Sequence, residues 1–301
     1  MGNPIRVPIG QGAGTIVLCA SHSPLAVRDP IESEGLAFRE GIKKARSFVN
    51  SFDPELVIYF GPDHLRALNN VVPGFTVVES GSGYGDWGGP TGDYAIDTGL
   101  AAKLADALSS EGFDIAVGKN LKLDHGFGQT WQQIFESLDA RPVLPIIVNC
   151  AVPPLPSVRR TAALGRAVGK FGSALNRRIL YLGSGGLSHD PPLTRAAADL
   201  PEAEREQRVL DDLRRAAERI DPKWDAAFLN ALSGPDWQWL EGMEQSYVAR
   251  AGIGGNEVRT WVAAFAASNV AASETVYESV PEWITGMGIA MGSDRGAPLN
   301  K

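Results

Sequence analysis

Short apolar runs alternate with amphipathic stretches along the first two thirds of the chain. Four runs are bounded by Gly, Pro, Ser or Asp, and their continuous apolar character predicts strands covered on both faces: 15–20 (TIVLCA), 55–60 (ELVIYF), 143–148 (VLPIIV) and 178–183 (RILYLG). Apolar residues at helical spacing predict helices over 36–49 and 98–109. The alternation predicts an α/β fold, with a central mostly parallel or mixed sheet flanked by helices.

The remaining segments complete this prediction. Residues 72–78 are expected to add a strand, and the glycine-rich segment 80–93 is expected to be a loop that covers a pocket or lies at the surface. From residue 194 the pattern predicts a helical C-terminal third, with helices over 202–220, 224–232, 236–250 and 255–272 and a last strand over 274–280. Since no repeat or linker interrupts the pattern, residues 1–301 are expected to form a single domain.

Composition narrows the classes of partner. The 301 residues carry a net charge of -7, which argues against nucleic acid or an anionic membrane surface as a partner. No stretch approaches the roughly 18 apolar residues of a membrane span, and the first residues lack the apolar core of a signal peptide. Cys19 and Cys150 end apolar runs and are expected to be buried thiols, so a cytoplasmic location is expected.

The four histidines are the main chemical signal. His22, His64 and His189 each follow a predicted strand, and His125 lies in the turn-like segment DHGFG. Because ligand sites form at the carboxyl ends of strands in α/β sheets, we expect these imidazoles to meet. Two histidines and a carboxylate would make the facial set that binds Fe(II) with open positions, although spacing leaves open which residues are the ligands.

The neighbouring carboxylates are less distinctive. Asp63 and Asp124 each directly precede a histidine, so a turn-forming or supporting role fits them better than a place on the same ion. Asp190 follows His189 in the same kind of turn. Without a family resemblance, Glu257 is interpreted as an acidic residue in the first turn of a helix, where the helix dipole favours a negative charge.

Several segments together resemble a known family. SHSPL, FGPDH, DHGFGQ, VLPIIVN, LGSGGLSHDPP and NEVRTWVAAFAA occur in the order found in class III extradiol ring-cleavage dioxygenases, over about residues 15–288. The resemblance is strongest to the group that acts on 2,3-dihydroxyphenylpropionate or 2,3-dihydroxycinnamate. It implies a non-haem Fe(II) enzyme that opens a small aromatic diol with O2 and forms a hydroxymuconic semialdehyde-type product.

The resemblance also assigns roles. It implies His22, His64 and Glu257 as iron ligands, which reverses the interpretation of Glu257 given above. It implies His125 and His189 as the acid–base pair, without deciding which is the base. Asp124 and Pro191 match supporting positions, and Asp86 matches a recurring position with no assigned role. A homo-oligomer is expected from the resemblance and from the charged helix 202–220.

The substrate pocket is the least determined part. Tyr84, Trp87 and Trp283 could wall an aromatic substrate, although ordinary packing in the core or in a loop is the favoured explanation for each of them. A substrate carboxylate would need a cation, for which the candidates near the motifs are Arg28, Arg66 and Lys122. Segment 65–72 lacks the aromatic residues of the resembled group, and 193–206 is shorter than in that group.

Three alternative functions follow from the same residues. A zinc hydrolase is disfavoured because no two histidines stand at the close spacing of an HExxH motif. Ring cleavage of another diol or of an aminophenol stays open. A non-catalytic metal-binding relative is disfavoured because both expected acid–base histidines are present.

Overall fold

A computed structural model of the chain describes residues 13–29, 32–191, 202–234, 236–243 and 247–295. The strands are Gly14–Ala20 (β1), Leu56–Gly61 (β2), Phe75–Val78 (β3), Gly81–Tyr84 (β4), Thr91–Asp93 (β5), Ala116–Gly118 (β6), Leu121–Leu123 (β7), Val143–Val148 (β8), Arg178–Ser184 (β9), Glu274–Val280 (β10) and Thr285–Ser293 (β11). The helices are Leu36–Phe52 (α1), Thr98–Ser110 (α2), His125–Ile134 (α3), Val158–Ser173 (α4), Glu202–Ala217 (α5), Pro222–Ser233 (α6), Trp237–Gly242 (α7), Tyr247–Ala251 (α8) and Val258–Ser268 (α9). Short 3-10 turns lie at Pro24–Arg28, Asp86–Gly88, Gly254–Glu257 and Pro281–Trp283.

The main sheet is mixed. Its strand order is β10-β11-β1-β9-β2-β8-β3-β6. The central strands β1, β9, β2 and β8 run parallel to one another. Strands β11 and β3 run antiparallel to their neighbours β1 and β8, on either side of that parallel core. The predicted α/β class with a mostly parallel or mixed sheet is therefore confirmed.

Both faces of the parallel core are covered. Along β1, Ile16 and Leu18 pack in one apolar cluster with α1 and α3, whereas Val17 and Cys19 pack in the other with α2, α4 and α9. Because successive side chains of a strand point to opposite faces, a strand covered on both sides reads as a continuous apolar run. This explains why the four apolar runs predicted strands correctly.

Glycine-rich segments account for much of what the sequence pattern missed. Residues 80–93 were expected to be a loop, but β4 and β5 form an antiparallel pair there and β4 also pairs with β7. A side chain at Gly83 would lie 2.2 Å from the Pro90 carbonyl oxygen, so the pair closes because that residue is glycine. The same holds between α4, which the pattern did not predict, and α9, where a Cβ at Gly165 would lie 2.3 Å from the Ala263 carbonyl oxygen.

The prediction of a helical C-terminal third is correct only in part. The predicted helix 236–250 is two short helices, α7 and α8, and residues 244–246 between them lie outside the described residues. After α9 the chain returns to the main sheet through β10, as predicted, and β11, which was not predicted. None of the helices in the described ranges is both long and apolar enough to cross a membrane.

The order of the parallel strands determines where the site forms. Strand β9 lies between β1 and β2, so the carboxyl ends of these three strands are adjacent at one edge of the sheet. His22 follows β1, His64 follows β2, and the segment leading to His189 follows β9.

Candidate metal centre

Three imidazole rings gather beyond the ends of β1 and β2. His22 is almost fully buried, and its ring centroid lies 5.6 Å from that of His64 and 5.5 Å from that of His125. The rings of His64 and His125 are stacked, with centroids 4.2 Å apart. One nitrogen from each of the three histidines lies within 4.8 Å of the others.

Asp124 holds two of these histidines in place. As the N-cap of α3, it accepts a hydrogen bond from the Gly126 amide through Oδ1 (2.9 Å), which fixes the start of the helix at His125. Its Oδ2 faces the His64 Nδ1 at 3.1 Å and accepts from the His64 backbone amide at 2.7 Å. The turn after His64 is stabilised separately, because Asp63 accepts from the backbone amides of residues 66–68.

His189 reaches the same centre from the loop after β9. Its Nδ1 lies 2.9 Å from the Leu187 carbonyl oxygen, to which it can only donate. The backbone of His189 is held by two hydrogen bonds: its amide donates to the Ala251 carbonyl and its carbonyl accepts from the Gly254 amide. The ring edge that carries Nε2 therefore faces Glu257, at 3.7 Å from Oε1.

Glu257 lies in the middle of the cluster. It ends the 3-10 turn Gly254–Glu257 and directly precedes α9. Its carboxylate lies 3.0 Å from the His64 Nε2 and 3.9 Å from the His22 Nε2, and it accepts from the Gly186 amide at 2.7 Å. A Cβ at Gly185 would lie 2.7 Å from the Glu257 Cβ, so a glycine there lets the β9 loop pass close to the carboxylate.

Burial and mutual charge set the protonation of these groups. Burial, assisted by the neighbouring histidines, lowers the pKa of His22 to about 3. Burial also acts to lower the pKa of His64, but the carboxylates of Asp124 and Glu257 outweigh it and raise that pKa. Burial acts to raise the pKa of Glu257, but the surrounding histidines hold it well below its usual range. Glu257 is therefore ionised at neutral pH.

This donor set fits a divalent transition metal. Several imidazole nitrogens and one ionised carboxylate converge from a buried position, and imidazole with carboxylate suits Fe(II), Mn(II) or Zn(II). The His64 Nε2 and the Glu257 Oε1 lie 3.0 Å apart, and a cation bound by both would require the His64 nitrogen without a proton.

Comparison with known proteins decides the family. Residues 16–288 match the family model described as the catalytic LigB subunit of aromatic ring-opening dioxygenase. The chain belongs to this family. It is 37% identical to 2,3-dihydroxyphenylpropionate/2,3-dihydroxicinnamic acid 1,2-dioxygenases of Escherichia coli strains K12 and SMS-3-5, over 90% of this chain and 96% of theirs. The crystal structure of an uncharacterised Escherichia coli K12 protein, JW3007, has a TM-score of 0.47 at 11% identity over 91% of this chain and 98% of that one, a likeness too distant to bear on function.

The LigB-family chain is thus an extradiol dioxygenase, and the matched range includes every histidine of the cluster and Glu257. The structure brings together the five residues that the resemblance named as ligands and acid–base groups. The ring stack also places a His125 nitrogen within 4.8 Å of those of His22 and His64, so His125 belongs to the same cluster of nitrogen donors.

Asp86 gains a contact that the sequence did not indicate. Its Oδ2 lies 2.7 Å from the His125 Nδ1, and the side chains of His125 and Asp86 are 7% and 11% exposed. In the sequence Asp86 stood in a segment interpreted as a loop, 39 positions from its partner. No local pattern signals a contact of that range, which depends on the 3-10 turn Asp86–Gly88.

The expected pocket residues separate into two groups. Tyr84 and Trp87 are 46% and 40% exposed, so they are available to a ligand near Asp86. Trp283 is 2% exposed and packs edge-on against Phe38, so packing in the apolar core explains it. Pro191 is exposed at the end of a described range, and residues 192–201 of the shortened segment lie outside the described residues.

The cation candidates differ in their contacts. Lys122 donates to the Ser82 hydroxyl at 2.8 Å. Arg66 is exposed two residues after His64, with its guanidinium 5.9 Å from the Tyr84 ring centre. The side chain of Arg28 lies outside what the structure describes. Arg66 is thus the candidate that lies nearest in sequence to a site histidine.

Proposed function

We propose that this extradiol dioxygenase uses Fe(II), held by His22, His64 and Glu257, to open a 2,3-dihydroxyphenylpropionate-like catechol with O2. The product would be a ring-opened hydroxymuconic semialdehyde-type compound, as the family resemblance implies. His125 and His189 would be the acid–base pair. The proposal includes a homo-oligomer located in the cytoplasm.

One observation carries the proposal. The buried Glu257 carboxylate lies 3.0, 3.7 and 3.9 Å from the Nε2 atoms of His64, His189 and His22. Two neutral imidazoles and one carboxylate on one side of an ion leave its other positions open, as in non-haem Fe(II) oxygenases. Bound Fe(II) would supply Lewis acidity and the open positions at which a diol and O2 meet.

The protein's own groups would move the protons. His125 has its Nδ1 engaged with Asp86, and His189 has its Nδ1 engaged with the Leu187 carbonyl. Both rings are therefore held by one nitrogen, which leaves Nε2 to exchange a proton with the substrate. One histidine would remove a phenol proton and the other would return a proton during ring opening.

The choice of catechol rests on the named relatives, which share 37% of their residues with this chain. A propionate side chain requires a cationic or strongly polar partner, and a guanidinium suits a carboxylate well. Arg66, which is exposed and follows His64 by two residues, would provide that partner. A panel with and without a side-chain carboxylate tests this part separately from ring cleavage.

The test begins with anaerobic reconstitution of the protein with Fe(II), followed by 2,3-dihydroxyphenylpropionate, catechol and 2-aminophenol in air. Iron-dependent O2 uptake with a new yellow absorbance is the expected result. If verified iron-loaded protein consumes no O2 with any of these compounds, the proposal is wrong.

Variants assign the roles. His22→Ala, His64→Ala and Glu257→Gln should each lose iron, whereas His189→Ala should retain iron and lose turnover by ~10²–10⁴-fold. Glu274→Gln is the matched control for Glu257→Gln, because Glu274 lies on β10 and pairs with Lys44, away from the cluster. Equal iron content in Glu257→Gln and Glu274→Gln would contradict the ligand assignment.

A further inference from the structure

We propose that Ser184 is a positioning residue that fixes the tautomer of His22, so that its Nε2 carries a free lone pair toward the metal. This inference rests on the proposed function, since it concerns a ligand of the same centre. Ser184 is the last residue of β9 and is fully buried. Its hydroxyl oxygen contacts the Gly126 carbonyl oxygen at 2.5 Å, the Thr130 hydroxyl at 2.7 Å and the His22 Nδ1 at 3.0 Å.

One of these three contacts determines which atom is the donor and which is the acceptor in all of them. A carbonyl oxygen has no hydrogen to give, so the 2.5 Å contact requires that Ser184 donates to Gly126. A hydroxyl has one hydrogen and two lone pairs, and that hydrogen is now committed. Both remaining neighbours must therefore donate to Ser184, Thr130 through its hydroxyl and His22 through Nδ1–H.

The consequence for His22 is a single tautomer. A neutral imidazole carries one N–H, so a hydrogen on Nδ1 leaves Nε2 as an acceptor or ligand. That Nε2 faces the Glu257 carboxylate at 3.9 Å. A metal needs the deprotonated nitrogen, and a partner on the other nitrogen orients the ring and removes the cost of choosing a tautomer.

His22 differs in this respect from the other histidines of the cluster. His64 and His125 have their Nδ1 beside carboxylates, and His189 has it beside a carbonyl. Those partners can only accept, so each of them by itself requires a hydrogen on Nδ1. A hydroxyl accepts or donates, and at Ser184 the choice is made by the carbonyl of Gly126, in the first turn of α3.

Ser184 also contacts α9, the helix that directly follows Glu257. The Ser184 carbonyl accepts from the Thr260 hydroxyl at 2.6 Å, three residues after Glu257. Ser184 thus contacts the segments after β1, in α3 and in α9. A change at Ser184 could disturb packing as well as polarity, so the test must observe the tautomer itself.

The experiment uses the full chain labelled with ¹⁵N-histidine, which gives signals from only four residues. Ring-nitrogen NMR of the metal-free protein should show His22 protonated at Nδ1 and not at Nε2. In Ser184→Ala the proton should move to Nε2, and Fe(II) affinity, measured anaerobically by competition with a chelator, should fall about 10–100-fold. An unchanged Nδ1–H tautomer together with unchanged affinity would overturn the proposal.

Two further variants separate polarity from packing. Thr130→Val removes the hydroxyl that donates to Ser184, but the Ser184 oxygen remains to accept from His22. The His22 tautomer and the Fe(II) affinity should therefore stay as in the wild type. Ser184→Thr keeps the hydroxyl and adds a methyl group, so the Nδ1–H tautomer and the Fe(II) affinity should stay near those of the wild type even where the added volume lowers stability. If wild-type protein binds no Fe(II), the proposed function fails, while the tautomer prediction is still decided by the NMR spectrum.

Discussion

Gly254 controls the position of His189, and replacing it should show what that histidine does. A Cβ at residue 254 would lie 2.1 Å from the His189 Nε2 and 2.2 Å from its Cδ2, whereas real Cβ contacts are at least 3.0 Å. Gly254 cannot move away easily, since its amide donates to the His189 carbonyl at 3.0 Å. In Gly254→Ala the imidazole must therefore leave its place, although His189 itself is unchanged.

The size of the effect follows from the role of the displaced ring. Proton transfer requires heavy atoms within about 2.6–3.2 Å, and loss of a general acid or base costs ~10²–10⁴-fold. This corresponds to about 3–5 kcal/mol of activation free energy. The expected result for Gly254→Ala is a fall of that size in kcat, with iron content close to wild type because His22, His64 and Glu257 keep their contacts.

The assay is steady-state O2 uptake on iron-verified protein, beside Gly242→Ala as control. A Cβ at Gly242 meets nothing within 4 Å, so that variant should be neutral. A double-mutant cycle identifies the cause: Gly254→Ala should add almost nothing to His189→Ala if it acts through that ring. A Gly254→Ala enzyme with wild-type kcat, or fully additive effects in the cycle, would refute the reasoning.

Three other variants test different parts of the structure. Asp86→Asn removes the charge beside the His125 Nδ1, so turnover should fall about 10–100-fold with iron retained, and an unchanged kcat would contradict a supporting role. Gly165→Ala overpacks the contact with Ala263, so it should lower the free energy of unfolding by about 1–3 kcal/mol in denaturant titrations. An unchanged free energy of unfolding would contradict the close packing of α4 against α9. Burial raises the pKa of Asp225 to about 6, so the folded chain holds a proton there that the unfolded chain releases near pH 4. Stability relative to Asp225→Asn should therefore fall by about 2 kcal/mol from pH 4.5 to 7.5, whereas a constant difference in unfolding free energy would show that Asp225 does not titrate in this range.

The correctly predicted parts of the fold are those whose signal is local. A strand buried on both faces must be apolar throughout, and a helix with one buried face must repeat its apolar residues, so the four central strands and α1 and α2 were found. With the exception of β7, the missed helices and strands contain glycine. Gly126 and Gly128 in α3, and Gly165 and Gly169 in α4, lower helix propensity, yet close packing against neighbouring chain requires small residues.

The candidate site divides in a similar way. The position of a histidine after a strand is visible in sequence, which is why His22, His64 and His189 were expected to meet. The contacts that orient them join residues far apart, such as His64 with Glu257, 193 positions away. Glu257 by itself looks like an ordinary helix-start acid, and only the family resemblance indicated its role before the geometry was known.

The antiparallel pairing of β1 with β11 has a consequence for the order of events during synthesis. Strand β1, which leads to His22, has β9 on one side and β11 on the other, and Ile16 pairs with Ser293. On the ribosome β1 emerges before both of its neighbours in the sheet, β9 and β11. The scaffold under His22 is therefore complete only after β11 has been synthesised, so the proposed metal centre would assemble after that point.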